Sequence, residues 1–199
     1  MFDARLRPLI DPPLNRLGLY LAARGISANQ VTVLGFGLGM LALPLLAFQA
    51  YYAALACILL NRLCDGLDGA VARFTALTDL GGFLDIVLDF IFYAAVIFGF
   101  VLAQPHHASQ GAFLIFSFIG TGTSFLAYST FAAKRGLQTS RRGKKSLYYL
   151  GGLTEGFETL LCLVLMCLFP AAFAPLAVVF GSLCWLTTGT RIYTAIKTL

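Results

Sequence analysis

Six long apolar stretches run through this chain, at roughly 31–49, 52–75, 80–103, 111–134, 147–169 and 173–195. Each approaches the ~20 residues that a helix needs to cross the hydrocarbon core of a bilayer. Lipid offers no water to satisfy backbone N–H and C=O groups, so a spanning segment must be a helix or a strand of a closed barrel. The stretches are unbroken and do not alternate, which argues against a barrel, whose strands would run about 9–11 residues with alternating polarity. Hydrophobic residues make up 59% of the 199 and charged residues only 12%. That balance lies far from a soluble globule. The expected fold is an all-α integral membrane protein, with six transmembrane helices in one bundle and one domain over residues 1–199.

The charges orient this bundle. With a cytoplasmic N-terminus and six spans, all fourteen Lys and Arg residues fall on one side, as the positive-inside rule requires. Lys134 to Lys145 form a basic loop between the fourth and fifth stretches, and the outer connections contain only His106 and His107 among titratable groups. A bacterial inner membrane, with both termini and any chemistry facing the cytoplasm, is the expected setting. The net charge of +5 could suggest nucleic acid, but these basic residues sit where a membrane protein meets anionic lipid headgroups. Lipid is the expected partner. Residues 1–27 form an N-terminal segment. Pro8, Pro12 and Pro13 are expected to break it up, and Leu14 to Arg24 suits a helix lying in the cytoplasmic leaflet. The five cysteines, Cys57, Cys64, Cys162, Cys167 and Cys184, lie singly within apolar stretches and read as small buried hydrophobes.

Against that background the second and third stretches carry charges that need a reason. Asp65-Gly66-Leu67-Asp68-Gly69-Ala70-Val71-Ala72-Arg73 is followed by Gly81-Gly82-Phe83-Leu84-Asp85-Ile86-Val87-Leu88-Asp89. An Asp at the centre of a spanning helix costs about 2.5–3.5 kcal/mol, so four in one hairpin imply a polar cavity and something positive to fill it. Helical spacing puts Asp65, Asp68, Gly69 and Ala72 on one face, and Gly81, Asp85 and Asp89 on another. A short turn near Thr75 to Asp79 predicts adjacent antiparallel helices, with Asp68 opposite Asp85 and Asp65 opposite Asp89. The small residues predict close approach of the two backbones. Arg62 and Arg73 cannot between them neutralise four carboxylates. Oxygen-only ligands select hard cations such as Mg²⁺, Mn²⁺ or Ca²⁺, and a pair of divalent ions suits displacement at phosphorus. A divalent-cation transporter would also line its path with intramembrane carboxylates, and these residues alone leave that alternative open.

The same residues resemble the signature of the CDP-alcohol phosphotransferases, Asp-x-x-Asp-Gly-x-x-Ala-Arg, a spacer, then Gly-x-x-x-Asp-x-x-x-Asp. Asp65, Asp68, Gly69, Ala72, Arg73, Gly81, Asp85 and Asp89 match in order. The spacer between Arg73 and Gly81 is one residue shorter than the family pattern, and because it falls in the turn it predicts a local change of connection. The resemblance implies that Asp65, Asp68 and Asp85 are the main ligands of two divalent cations, Mg²⁺ or Mn²⁺. Asp89 would complete the metal site and act as catalytic base. It implies that Gly69, Ala72, Arg73 and Gly81 receive the nucleotide and its phosphates, and that a CDP-linked donor and an alcohol acceptor react with release of CMP. CDP-diacylglycerol is the expected donor, a soluble CDP-alcohol such as CDP-choline or CDP-ethanolamine the alternative. A homodimer is implied in the same way.

The remaining candidates concern the acceptor. The fifth stretch opens with Gly152-Leu153-Thr154-Glu155-Gly156, which resembles an element of the choline and ethanolamine branch of the family. Glu155 could bind a cationic head group or pair with a neighbouring Lys. Arg141 and Arg142 could grip a phosphorylated acceptor, although a positive-inside loop predicts the same residues. Arg191 on the last stretch is a further candidate. Ser117, Thr121, Ser124 and Tyr128 form a polar stripe that helix–helix hydrogen bonding would explain.

Overall fold

The computed structural model describes residues 3–136 and 152–199. These residues are helical and contain no strand. The helices are α1 (Asp3–Ala23), α2 (Ala28–Met40), α3 (Ala42–Ala47), α4 (Tyr51–Phe74), α5 (Asp79–Ala103), α6 (Ala108–Lys134), α7 (Gly156–Leu168) and α8 (Phe173–Thr198). The α2–α3 run over 28–47, α5, α6 and α8 are long and apolar enough to cross a membrane. At 24 residues α4 is equally long, but its Asp and Arg residues lower its apolarity. The described helices divide into two compact units, residues 6–105 and residues 106–199 with the first few residues of the chain.

In the first unit, local chemistry sets the helix ends. Gly25, at φ +78, closes α1: its N–H bonds Ala22 O at 3.0 Å, and Ile26 N bonds Leu21 O at 3.1 Å, which needs a left-handed residue at that corner. Ser27 then starts α2 with a capping box, Gln30 N donating to Ser27 Oγ at 3.3 Å and Ser27 N to Gln30 Oε1 at 2.9 Å. Pro44 lacks the N–H that would bond Met40 O, and the helix breaks at Leu41 between α2 and α3. The side chain of Thr78 caps α5 by accepting from Gly81 N at 3.0 Å. The short spacer therefore does fall at the turn.

Two expectations are corrected in this unit. The prolines do not break the N-terminal segment, because α1 runs through all of them. Each removes one donor and displaces one carbonyl. The ladder bonds on either side of these positions remain, and the helix continues to Ala23. The second correction concerns the hairpin: α4 and α5 do not pack closely along their lengths, and α2 and α3 lie against both. The glycines outside the signature make this possible. A Cβ on Gly35 would collide with Cys64 Cβ, and one on Gly39 would lie 2.8 Å from Asn61 Nδ2. A Cβ on Gly99 would come within 2.9 Å of Leu46 Cβ. Leu14 of α1 seals the other side of α4 in a cluster with Val31, Leu67, Ala70 and Val71.

In the second unit α6 packs on α8. Gly181 admits the Phe113 ring, and Gly120 faces Trp185 and Thr188. Tyr128 hydroxyl and Thr198 Oγ1 are 3.0 Å apart. The rest of the polar stripe bonds its own helix: Ser117 donates to Leu114 O, Thr121 to Phe118 O and Ser124 to Thr121 O. The helix expected from residue 147 begins only at Gly156 and has 13 residues. Residues 152–155 are non-helical, because Leu153 N and Thr154 N both donate to Thr187 Oγ1 at 3.2 Å. Backbone donors committed to α8 hold this segment in a bent loop against it, whatever its apolarity.

Candidate metal and phosphate site

Asp65 and Asp68, three apart on α4, and Asp85, on α5, bring one carboxylate oxygen each within 4.8 Å of one another. The expected convergence of the two faces is therefore present, although α2 rather than direct α4–α5 packing maintains it. The cleft is lined by Thr32, Gly35 and Phe36 of α2, by Asn61, Arg62, Asp65 and Asp68 of α4, and by Asp85, Leu88 and Asp89 of α5. Asp68 is buried at 6% exposure, and Thr32 Oγ1 donates to its Oδ2 at 2.6 Å. Three carboxylates this close repel one another unless a cation joins them. The donor set is entirely oxygen, with no His or Cys in the cluster, and it fits a hard divalent ion.

Asp89 lines the same cleft but lies outside this trio. Both its oxygens accept from Arg62, Oδ2 from Nη1 at 3.2 Å and Oδ1 from Nη2. Arg62 Nη1 is also 3.5 Å from Asp65 Oδ2. The ion pairing that charge counting set aside is thus real for Arg62. It is not made by Arg73, whose Nε and Nη2 donate to Asn15 Oδ1 of α1 at 3.1 and 2.7 Å.

The small residues of the signature divide by environment. A Cβ at Gly69 would meet only Arg73 Nη1, at 3.8 Å, so this face is open beside an exposed guanidinium. Ala72 is half-buried on the same helix. A Cβ at Gly81 would lie 3.0 Å from Thr78 Oγ1 and 3.1 Å from Asn29 Oδ1, so this glycine also relieves crowding at the cap of α5.

The acceptor candidates belong to the other unit. Glu155 Oε1 accepts from Gly152 N at 3.2 Å, and Glu155 N donates to Glu158 Oε2 at 3.2 Å. These bonds order the start of α7. Arg191 is buried, donates from Nη1 to Thr121 O at 2.8 Å and lies 5.6 Å from the Phe125 ring centroid. Arg141 and Arg142 lie outside the described residues.

Thr32, Asn61 and Asn15 were not anticipated from sequence. Thr32 and Asn61 are polar residues within apolar stretches, a signal that was available. Asn15 lies in an ordinary amphipathic pattern, and nothing in the sequence connects it to Arg73.

The sequence model of a family described as CDP-alcohol phosphatidyltransferase matches residues 26–193. The chain is 56% identical over 200 residues to the inner membrane protein YnjF of Escherichia coli (strain K12), an alignment covering 100% of this chain and 97% of that protein. It is 37% identical over 100 residues to an archaetidylinositol phosphate synthase of Pyrococcus horikoshii, covering 50% of this chain and 53% of that protein. In fold it resembles the Mycobacterium tuberculosis phosphatidylinositol phosphate synthase crystallised with manganese and citrate, at TM-score 0.71 and 20% identity over 92% of this chain and 88% of that one. The form of that synthase with CDP-DAG bound aligns at TM-score 0.69 and 22% identity, over 92% of each chain.

Proposed function

Because the chain belongs to the CDP-alcohol phosphatidyltransferase family, an enzyme class of membrane phospholipid synthesis, we propose that it transfers a phosphatidyl group from CDP-diacylglycerol to the hydroxyl of a small polar alcohol, releasing CMP. The observation that carries this reading is the convergence of Asp65, Asp68 and Asp85 within 4.8 Å beside the open face at Gly69. The CDP-DAG-bound structure neighbour supports the choice of donor. The inositol-phosphate chemistry in the names of the relatives supports a phosphorylated polyol as acceptor. The resemblance to an inner membrane protein supports a bacterial inner-membrane location, and the one-sided distribution of Lys and Arg supports a cytoplasmic active site. A homodimer remains part of this proposal through the family resemblance.

Asp65, Asp68 and Asp85 would hold two divalent cations, Mg²⁺ or Mn²⁺, with Asp89 completing the set. When bound, such ions neutralise charge on the phosphoryl oxygens and on the departing phosphate. The chain's own residues supply the rest. Thr32 fixes the rotamer of Asp68, so the ligand oxygens are in place before substrate arrives. Gly69 and Ala72 leave room for the nucleotide, and Arg73, steadied by Asn15, offers its guanidinium to a phosphate. The acceptor oxygen bonds to the β-phosphorus as the bond from that phosphorus to the CMP oxygen breaks. Asp89 takes the acceptor's hydroxyl proton, and CMP leaves with the electron pair of the broken bond. Positioning and charge neutralisation are the main contributions a protein makes to such a transfer.

The test is CMP release by the full chain in nanodiscs with Mg²⁺ or Mn²⁺, offering CDP-diacylglycerol and separately CDP-choline or CDP-ethanolamine with pooled acceptors. Release from CDP-diacylglycerol, lost in Asp85→Asn and Asp89→Asn, is the expected result. Release from a soluble CDP-alcohol alone would reassign the donor. Silence with every donor, while divalent ions still bind, would replace phosphatidyl transfer with a cation-handling role.

A further inference from the structure

Position 62 lies outside the signature that Asp65 opens, yet its guanidinium sits in the carboxylate cleft. Arg62 holds both oxygens of Asp89 and approaches Asp65 at 3.5 Å, while its own side chain is only 12% exposed. It is also anchored from behind. Its Nε and Nη2 donate to Asn61 Oδ1 at 2.9 and 2.6 Å, and Nη1 donates to Tyr93 hydroxyl at 2.8 Å. The guanidinium carbon lies 5.0 Å from the ring centroids of both Phe92 and Tyr93. None of these anchors is a carboxylate, so all of them survive if Asp89 swings away.

A bidentate guanidinium and a dication want the same carboxylate lone pairs. A fixed positive charge beside a metal position also weakens metal binding there. On the reading of this cleft as a divalent-metal site, the geometry points to Arg62 as a resident competitor for the metal ion that Asp89 would help to hold. Asp65, Asp68 and Asp85 take the first ion. The second binds only as Asp89 exchanges Arg62 for metal, and Arg62 stays on Asn61, Tyr93 and the two rings. Asp89 is thereby kept out of the metal trio until the cleft is charged, and the affinity of the second position is set by a residue that is not itself a ligand.

Mn²⁺ binding to metal-stripped full chain in nanodiscs, followed by the electron paramagnetic resonance signal of free Mn²⁺, reads this directly. Wild type should show a tighter and a weaker class. Arg62→Gln should tighten the weaker class by about tenfold, the order expected from removing one positive charge a few ångströms away in a partly hydrated cleft, and Arg62→Lys should keep it weak. Tyr93→Phe, which removes one anchor and no charge, should tighten it by a smaller factor, and the Mn²⁺ concentration giving half-maximal transfer should move in parallel. Unchanged or weaker binding in both Arg62→Gln and Tyr93→Phe, with wild type binding normally, overturns the role of Arg62 and leaves the metal-site reading standing. Absence of Mn²⁺ binding by wild type overturns both.

Discussion

Thr32 on α2 donates its hydroxyl to Asp68 Oδ2 on α4 at 2.6 Å, joining residues 36 apart in the chain. Asp68 is the most buried acid of the trio and has the least freedom to be held by water, so its orientation depends on this donor. Thr32→Val, which keeps the shape and deletes the hydroxyl, should lower transfer activity by about ten- to a hundredfold. Thr32→Ser should restore most of it. CMP release with saturating donor, measured across a Mn²⁺ titration, checks both.

Gly69 separates stability from function. A Cβ there meets only the far end of Arg73 at 3.8 Å, and Ala is the better helix former by about 1 kcal/mol. Gly69→Ala should therefore leave the melting temperature equal or higher while raising the KM for the CDP-linked donor, and Gly69→Val should raise it further. Thermal unfolding in detergent and donor-saturation kinetics are the paired measurements. A fall in stability would show that the open face is not open.

Gly35 should behave in the opposite way. Its added Cβ would overlap Cys64 Cβ where α2 crosses α4, and overpacking of that kind costs about 1–3 kcal/mol. Gly35→Val should lower the melting temperature and, by moving α2, reduce activity as well. Gly37, two residues on, has nothing within 4 Å of its Cβ position, so Gly37→Ala is the matched control and should be silent in both assays.

Metal removal gives the broadest test of the donor set. Chelation of the purified protein should abolish CMP release, and Mn²⁺ or Mg²⁺ should restore it. Zn²⁺ should restore little, because an all-carboxylate donor trio lacks the nitrogen and sulfur ligands that zinc sites favour. Full activity with Zn²⁺ alone would contradict an oxygen-only hard-ion site.

Much of this architecture is legible in the sequence. Unbroken apolarity and length predicted α4, α5, α6 and α8 to within a few residues, because backbone hydrogen bonding inside lipid leaves a chain almost no alternative. The spacing of Asp65, Asp68, Asp85 and Asp89 placed the acids on converging faces, since a face depends only on residue count along a helix. The same reasoning overreached at α7, where bonds from Leu153 and Thr154 to Thr187 hold the chain out of helix. It overreaches again at the hairpin, where a short turn predicts close packing of α4 on α5 but α2 and α3 lie against both.

By itself, then, the sequence determined what is local: helix, apolar length, and which carboxylates share a face. Tertiary structure decided the partners. It brought α2 against both acid-bearing helices, gave Asp68 to Thr32 and Arg73 to Asn15, and left Asp89 on Arg62 and out of the trio. A helix can be read from the residues that repeat along it, but a hydrogen bond between residues distant in the chain depends on how whole helices cross, and small residues such as Gly35 and Gly39 set that crossing through contacts with chain far away in sequence.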